Sequence, residues 1–595
     1  MLTPNSRELL LDALRPEPGY VLDQAVGTTY TLDLDALLFA PLAFALFDVD
    51  AGHADPDPIA LLATISAYAH KMAMYTDGGK ISAPPQGRPL TQLIEKTIHP
   101  VHMVDGGAFH PKVWVLRFVT SAGEYRHRAL VLSRNLTFDR SWDTVLRLDE
   151  DPEGTSENAI ELAQFLQSLG RRSPSEAVSK LLETLGAVSF APPAGFGTAQ
   201  FWPLAPGASD PMAGVDTKSL LVISPFATSG RLGKMAPGAK RRALVTRADT
   251  LNELGGHVLD PWDEVYVLHG EAVDGVEEDR TMLSGLHAKV HVFDDGKQRR
   301  VFTGSANATT AAFGTNVELI VELTSTDPAT RVDRLLELSD KETTLRSLLV
   351  ARRPEKLEPA TQTPEELEAE RLEEVARGLA SQHSVARART DDAGRWVVDF
   401  ELPTAGTALA PSDSVQARLV TAGGAWQPLT PEDDRFHAPL AAGAASKVTS
   451  LIAIEVKSGS GLDVNPETFV VVAELLDAPP DREQQLLLDL LPDAEKLMRL
   501  LFMLLADARD DGDAAAQVRK MLSLGTAGET AGWTLQLPLF ENLVRTFARE
   551  PERLRSIKRI IDQVRKAEDA IDRFPPGFLE LWQTFDSAMP KEPKR

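Results

Sequence analysis

Two stretches of this chain carry the same chemically capable side chains in the same order. FHPKVWVLRF leads through a returning strand to ALVLSRNLT, so His110 and Lys112 are followed by Ser133 and Asn135. LHAKVHVFDD leads to VFTGSANAT, so His287 and Lys289, 177 residues after the first pair, are followed by Ser305 and Asn307. One His-x-Lys is ordinary in a chain with 12 histidines. Two copies, each followed by Ser-x-Asn, are not. An imidazole can attack phosphorus or carry a proton, while a lysine, a serine and an asparagine can hold the oxygens of an anion. Along a strand residues i and i+2 share a face, so each histidine and lysine project together, and a hairpin sets Ser and Asn beside them. Two such patches facing each other would ring a tetrahedral anion with donors, as cleavage of a phosphodiester requires.

With these residues the chain resembles the phospholipase D superfamily, whose members pair two His-x-Lys…Ser-x-Asn half-sites about a pseudo-twofold axis. In the second copy Asp294 stands at the family's aspartate and Gly304 at the glycine before its serine, with a hairpin longer than usual between them; in the first copy Arg117 and Leu132 occupy those places. The missing aspartate, and the stretches SRNLTFDRSWD and SANATTAAFG, look like the tyrosyl-DNA phosphodiesterase branch. The resemblance implies a phospho-histidine intermediate, with His110 as nucleophile and His287 as general acid. It implies that Lys112, Lys289, Asn135 and Asn307 hold the non-bridging oxygens, that Ser133 and Ser305 donate further hydrogen bonds, and that Asp143 and Glu318 each orient the opposite histidine. For those two acids a plain surface position is the alternative. His291 shares the face of His287 and Lys289 by alternation and is expected to pack or hydrogen-bond at the strand's end. His99, His102 and His127 have no spacing that demands a role. Trp114, Trp142 and Phe313 flank the motifs, where stacking on bases competes with core packing.

The elements that must position these residues repeat as well. The first lobe (1–200) offers an apolar run from Leu37 to Phe47, a helix near Ile59 to Lys71, a strand at Met72 to Tyr75, and the first motif hairpin. The second lobe (201–350) offers strands at Leu220 to Phe226, Arg242 to Thr246 and Glu264 to Leu268, a short helix at Leu251 to Leu254, and the second hairpin. Strands alternating with helices predict a duplicated α/β/α sandwich, closed by an amphipathic helix over Val332 to Leu349. Pro354, Pro359 and Pro364 then interrupt the chain, and an acidic helix capped by Thr363 occupies a linker over 351–390. Residues 391–478 read as a small β-sandwich-like domain and 479–595 as a helical domain.

Composition narrows the setting. The 595 residues are 43% apolar and 25% charged, as in an ordinary globular protein. The absence of cysteine excludes disulfides and thiolate metal sites, and no cofactor or metal is expected. The first residues lack a basic stretch followed by an apolar core, and no run reaches about 18 apolar residues, so the expected location is the cytoplasm, away from membranes. A net charge of −24 opposes non-specific attraction to a polyanion, although Arg545 to Lys566 form a basic stretch that reads as a solvated helix face or a nucleic-acid stripe.

Three functions fit these features. The first is a phosphodiesterase of nucleic acid, DNA before RNA, of the kind that family members contribute to bacterial DNA restriction or antiviral defence, with a helicase or other defence protein delivering the strand. The second is a phospholipase or phosphatidyl transferase, and the third a silent phosphate-binding scaffold. Both half-sites lie in one polypeptide, so a monomer can complete the site, and the oligomeric state stays open.

Overall fold

The computed structural model describes residues 10–44, 58–103, 106–138, 141–269, 285–339, 344–354, 359, 361–505, 543–544, 546–547, 551–566, 573–574 and 578–588. The first lobe is built on a six-stranded sheet of β1 (Val21–Thr29), β2 (Met72–Asp77), β3 (Ile98–Val101), β4 (Val113–Val119), β5 (Tyr125–Leu132) and β6 (Val145–Asp149), in the order β3-β2-β1-β4-β5-β6. β1 runs parallel to β2 and antiparallel to β4, and β4–β5 is the motif hairpin. The apolar run from Leu37 is helical as far as Phe44, and residues 45–47 lie outside the described residues. Its described part belongs to α1 (Leu34–Phe44), apolar on nearly every side and buried on nearly every side, as such a helix must be. The first strand of the lobe is β1, upstream. Pro58–Tyr68 forms α2, near the predicted span. Two further helices, α3 (Ile160–Arg172) and α4 (Glu176–Leu185), close the lobe.

The second lobe contains an eight-stranded sheet: β7 (Thr198–Leu204), β8 (Ser219–Ile223), β9 (Arg241–Val245), β10 (Glu264–Leu268), β11 (Val290–Asp294), β12 (Arg299–Gly304), β13 (Glu318–Ser325) and β14 (Leu349–Ala351), ordered β14-β10-β9-β8-β11-β12-β13-β7. Its centre repeats the first sheet, since β8 pairs parallel with β9 and antiparallel with β11, and β11–β12 is the second motif hairpin. The predicted helix over Val332 to Leu349 is broken. Among its described residues only Val332–Leu335 is α-helical, Leu345–Leu348 is a 3₁₀ turn, and Leu349–Ala351 pairs antiparallel with Tyr266–Leu268 as an edge strand. Pairing with the sheet edge overrides the local helical pattern there. The two sheets bury one face each in a common core, where Val26, Val113, Val115 and Val131 share a cluster with Leu221, Val290, Val292 and Leu319.

The linker helix α5 (Pro364–Ala380) starts at Thr363 with a full capping box to Glu366. It packs on a sandwich of a five-stranded and a four-stranded sheet, mostly antiparallel, that begins at Val385, ahead of the predicted start at 391, and includes a strand at Arg435–Gly443. Helices α6 (Arg482–Leu490), α7 (Ala494–Leu505), α8 (Pro551–Val564) and α9 (Phe578–Ala588) follow. Their apolar residues, among them Leu497, Leu501, Ile557 and Trp582, share one core with Leu37, Leu62 and Ile65 of α1 and α2 on the outer face of the first sheet. Part of the basic stretch from Arg545 to Lys566 lies outside the described residues.

Candidate active site

Each His-x-Lys stands just before its strand rather than within it, because β4 begins at Val113 and β11 at Val290. The extended geometry survives by pairing across the lobes. Phe109 bridges Val317, His110 N donates to Val317 O at 2.9 Å, and Val317 N to Ala108 O at 2.9 Å. Reciprocally, Trp142 bridges Leu286, Trp142 N donates to Gly285 O at 3.0 Å, and His287 N to Trp142 O at 2.8 Å. Each lobe therefore holds the other's histidine segment, and the two half-sites meet in one place.

The side chains repeat this reciprocity. Lys112 Nζ donates to His110 O at 3.0 Å and Lys289 Nζ to His287 O at 2.9 Å, the same bond in both copies; Lys289 also crosses to Ser133 O at 3.1 Å. Ser133 Oγ accepts from Thr144 N at 2.8 Å, and Ser305 Oγ accepts from Leu319 N at 3.0 Å. Asp143 and Glu318, the residues before Thr144 and Leu319, thus occupy equivalent positions although their distances from the asparagines differ. Both serines are fully buried, and Ser305 Oγ donates to Glu318 Oε2 at 2.5 Å, so these hydroxyls position the carboxylate strands rather than reach for a phosphate. Asn135 and Asn307 each carry a buried Oδ1 without a partner among the described residues, alike in both copies.

Glu318 accepts from three donors: His110 Nδ1 at 2.8 Å, Ser305 Oγ, and Asn316 Nδ2 at 3.2 Å. With Nδ1–H on the carboxylate, the imidazole lone pair lies on Nε2. Burial pushes His110 down to about 4 against the pull of Glu318, so the ring is neutral near pH 7. Burial also takes Lys289 down to about 8, opposed by Glu318 and Asp143, and takes Lys112 well below its usual range with help from Lys289. Both buried amines lie near Glu318, whose oxygens are already engaged by His110, Ser305 and Asn316. Asp143 lies 3.7 Å from Arg134 and acts on Lys289, which puts it at the second half-site.

Several residues of the site gave no signal in the motif. Tyr30 at the end of β1 lays its ring 5.0 Å from that of His110, and Lys112 Nζ lies 5.8 Å from the Tyr30 ring centre. Asn316 holds Glu318 with its amide while its Oδ1 accepts Ala108 N at 3.1 Å. Thr29 Oγ1 accepts Leu136 N at 3.0 Å and donates to Thr31 O at 2.8 Å; Ser224 Oγ accepts Ala308 N at 2.9 Å and donates to Phe226 O at 2.7 Å. These matching latches fix the residue after each asparagine, and they place Tyr30 opposite Pro225 in the duplication. A short hydroxyl residue at the end of each lobe's central strand was the available signal.

Other predicted positions fall elsewhere. Asp294 accepts Gly296 N at 2.7 Å and Val332 N at 3.3 Å, a turn-holding role, and Arg117 is buried against Asp23 at 2.6 Å. His291 is buried between Val222 and Phe302, and burial takes it down to about 3. His127 ties Glu150 to Thr184 at 2.7 and 2.8 Å, His99 stacks on Tyr75, and the His102 ring covers Gly78. Trp114 is core, Trp142 is partly buried against the shared core, and Phe313 lies under the Arg231 guanidinium at 3.5 Å.

No family model matches the sequence, and no curated protein matches it. Among solved structures, yeast tyrosyl-DNA phosphodiesterase is similar, with 13% identity, a TM-score of 0.34, and coverage of 56% of this chain and 90% of that one. Polyphosphate kinase from Porphyromonas gingivalis is similar at 15% identity and a TM-score of 0.32, covering 59% of this chain and 48% of that one. Scores this low mark a loose likeness, and the chemistry rests on the geometry of the site.

Proposed function

We propose that the chain is a phosphodiesterase that cleaves nucleic-acid phosphodiester bonds through a phospho-histidine on His110. The observation that carries this reading is the reciprocal pairing of the half-sites, in which Glu318 of the second lobe holds His110 Nδ1 and Lys289 reaches Ser133 of the first. His110 Nε2 attacks phosphorus in line and forms a P–N bond as the P–O bond to the leaving group breaks. Protonated His287 gives its proton to the departing oxygen. A water then gives a proton to His287 and attacks phosphorus, the P–N bond breaks, and both histidines return to their starting states. Lys112, Lys289 and the amides of Asn135 and Asn307 hold the non-bridging oxygens, supplying the charge a metal would otherwise supply. Asp143 orients His287 as Glu318 orients His110. A role in DNA restriction or antiviral defence, with a helicase as partner, is the setting proposed from the motif's resemblance.

The test is cleavage of end-labelled single- and double-stranded DNA and RNA in excess EDTA by the native chain and by the His110→Ala and His287→Ala variants. Cleavage that survives chelation and is lost in both variants is expected. Cleavage that needs a divalent ion, or that persists in either variant, refutes the reading.

A further inference from the structure

Among the described residues three large aromatic side chains stand exposed: Tyr125, Phe138 and Phe226, at 40%, 59% and 46%. Tyr125 lies over the Arg117 guanidinium at 4.5 Å, beside the tip of its hairpin. The other two stand, one in each lobe, on backbone that neighbours the asparagine segments of the site. Phe138 is three residues beyond Asn135 and two beyond Leu136, whose backbone bridges Leu32 and whose N–H is latched by Thr29. Phe226 immediately precedes Ala227, whose backbone bridges Ala308 next to Asn307, and its own carbonyl is latched by Ser224. Both rings thus ride on backbone pinned beside an asparagine of the site.

An exposed phenylalanine costs hydration free energy, and a monomer has no packing reason to keep two of them beside its catalytic groups. Each ring has a supporting neighbour. Phe39 meets Phe138 edge-on at 5.4 Å, and the Arg247 guanidinium lies 5.6 Å from the Phe226 centre. In the duplication the counterpart of Phe226 is Thr31 and that of Phe138 is Thr310, so neither ring is a relic of the repeat. Resting on the phosphodiesterase reading above, we infer that Phe138 and Phe226 are platforms for the bases on the two sides of the scissile phosphate, so that the substrate is a single strand whose bases are free to stack. Every base has a π-face, so platforms of this kind grip a strand without reading its sequence. An arginine beside one ring adds a contact to the same strand's phosphates. In a duplex the bases are stacked on their own neighbours, and the platforms would meet only sugar and phosphate.

The test compares two fluorescein-labelled probes of equal length, oligothymidylate and a wholly abasic oligomer, binding to the full-length chain by fluorescence anisotropy. All proteins carry His110→Ala so that the probe survives. Phe138→Ala and Phe226→Ala should each weaken oligothymidylate binding about tenfold and leave abasic binding unchanged, while Phe138→Tyr and Phe226→Trp should restore it. Equal weakening on both probes would mean that the rings shape the site rather than stack, and unchanged binding on both would mean that they face something else, such as a protein partner. Either result overturns the inference. Because no turnover is read, a chain that cleaves no nucleic acid would sink the catalytic reading separately.

Discussion

Glu318→Gln keeps the shape of a fully buried side chain and removes its charge. Its Oε2 accepts from both His110 Nδ1 and Ser305 Oγ, and its Oε1 accepts from Asn316 Nδ2. If the amide oxygen takes the Oε2 place, the NH₂ group meets the Asn316 donor head-on. If the NH₂ group takes it, it donates to Nδ1, forces the imidazole proton onto Nε2, and removes the lone pair that would attack. In either arrangement the positive charge that His110 acquires on becoming a phospho-histidine has lost its buried counter-ion. Breaking a buried pair in this way costs about 3–5 kcal/mol, which as a barrier is a loss of about 10²–10⁴ in kcat. Asp143→Asn should cost much less, nearer tenfold, because that carboxylate is 23% exposed and shares its field with Arg134 at 3.7 Å. Rapid-quench kinetics on a labelled oligonucleotide measures both, and ¹⁵N NMR of the histidines reads the ring directly. Glu318 pulls the His110 pKa upward, so its loss should keep that ring neutral to a pH still further below about 4. A Glu318→Gln enzyme within tenfold of native, or a larger loss in Asp143→Asn, would refute the assignment of roles.

Two other perturbations follow from the same geometry. Lys289 has a folded-state pKa of about 8 against an ordinary 10.5, a difference of about 3 kcal/mol. Since the folded value is the lower one, the penalty is fully present below about pH 8 and is relieved as the pH rises toward 10.5. Lys289→Met should therefore unfold in urea at pH 7 no earlier than the native chain and flatten the rise in stability above pH 8; a stability loss beyond about 2 kcal/mol at pH 7 would count against this. Native activity should fall above about pH 8 as Lys289 loses its proton and below about 4 as His110 gains one, and a rate that stays level between pH 8 and 10 would contradict the lysine's role. Ser224→Ala strands the buried Ala308 N–H and should cost about 1–3 kcal/mol of stability, with kcat falling as Asn307 loosens. An unfolding midpoint shifted by less than the equivalent of about 0.5 kcal/mol would show that the latch is dispensable.

The site was legible because its chemistry is written locally and twice. His110 with Lys112, and His287 with Lys289, needed only the strand period and a hairpin to be placed, and the duplication supplied the second half. What the sequence hid depends on contacts between distant residues. Asp143 and Glu318 were suggested by the family resemblance, but their equivalence appears only through the serine bonds to Thr144 and Leu319. Tyr30 lies 80 positions from His110 and gave no pattern. The aromatics nearest the motifs in sequence, Trp114 and Phe313, serve packing, while Phe138 and Phe226 reach the site through turns that only the bridges to Leu32 and Ala308 locate. The element boundaries failed where the sheet decided the outcome, as at Leu349–Ala351, while the apolar run from Leu37 was long enough for either state.

The core that α1 and α2 share with residues 494–588 bears on the order in which the two lobes can be completed. A ribosome emits the second lobe's sheet and its helices as one stretch, and that stretch can close soon after its last strand at Leu349–Ala351 appears. The first lobe waits. The apolar face of α1 and α2, with Leu37, Leu62 and Ile65, stays partly uncovered until Trp582 has been made. The histidine synthesised first therefore sits in the half of the molecule that is finished last. Throughout that interval the nascent chain carries an apolar face that must be kept from its neighbours.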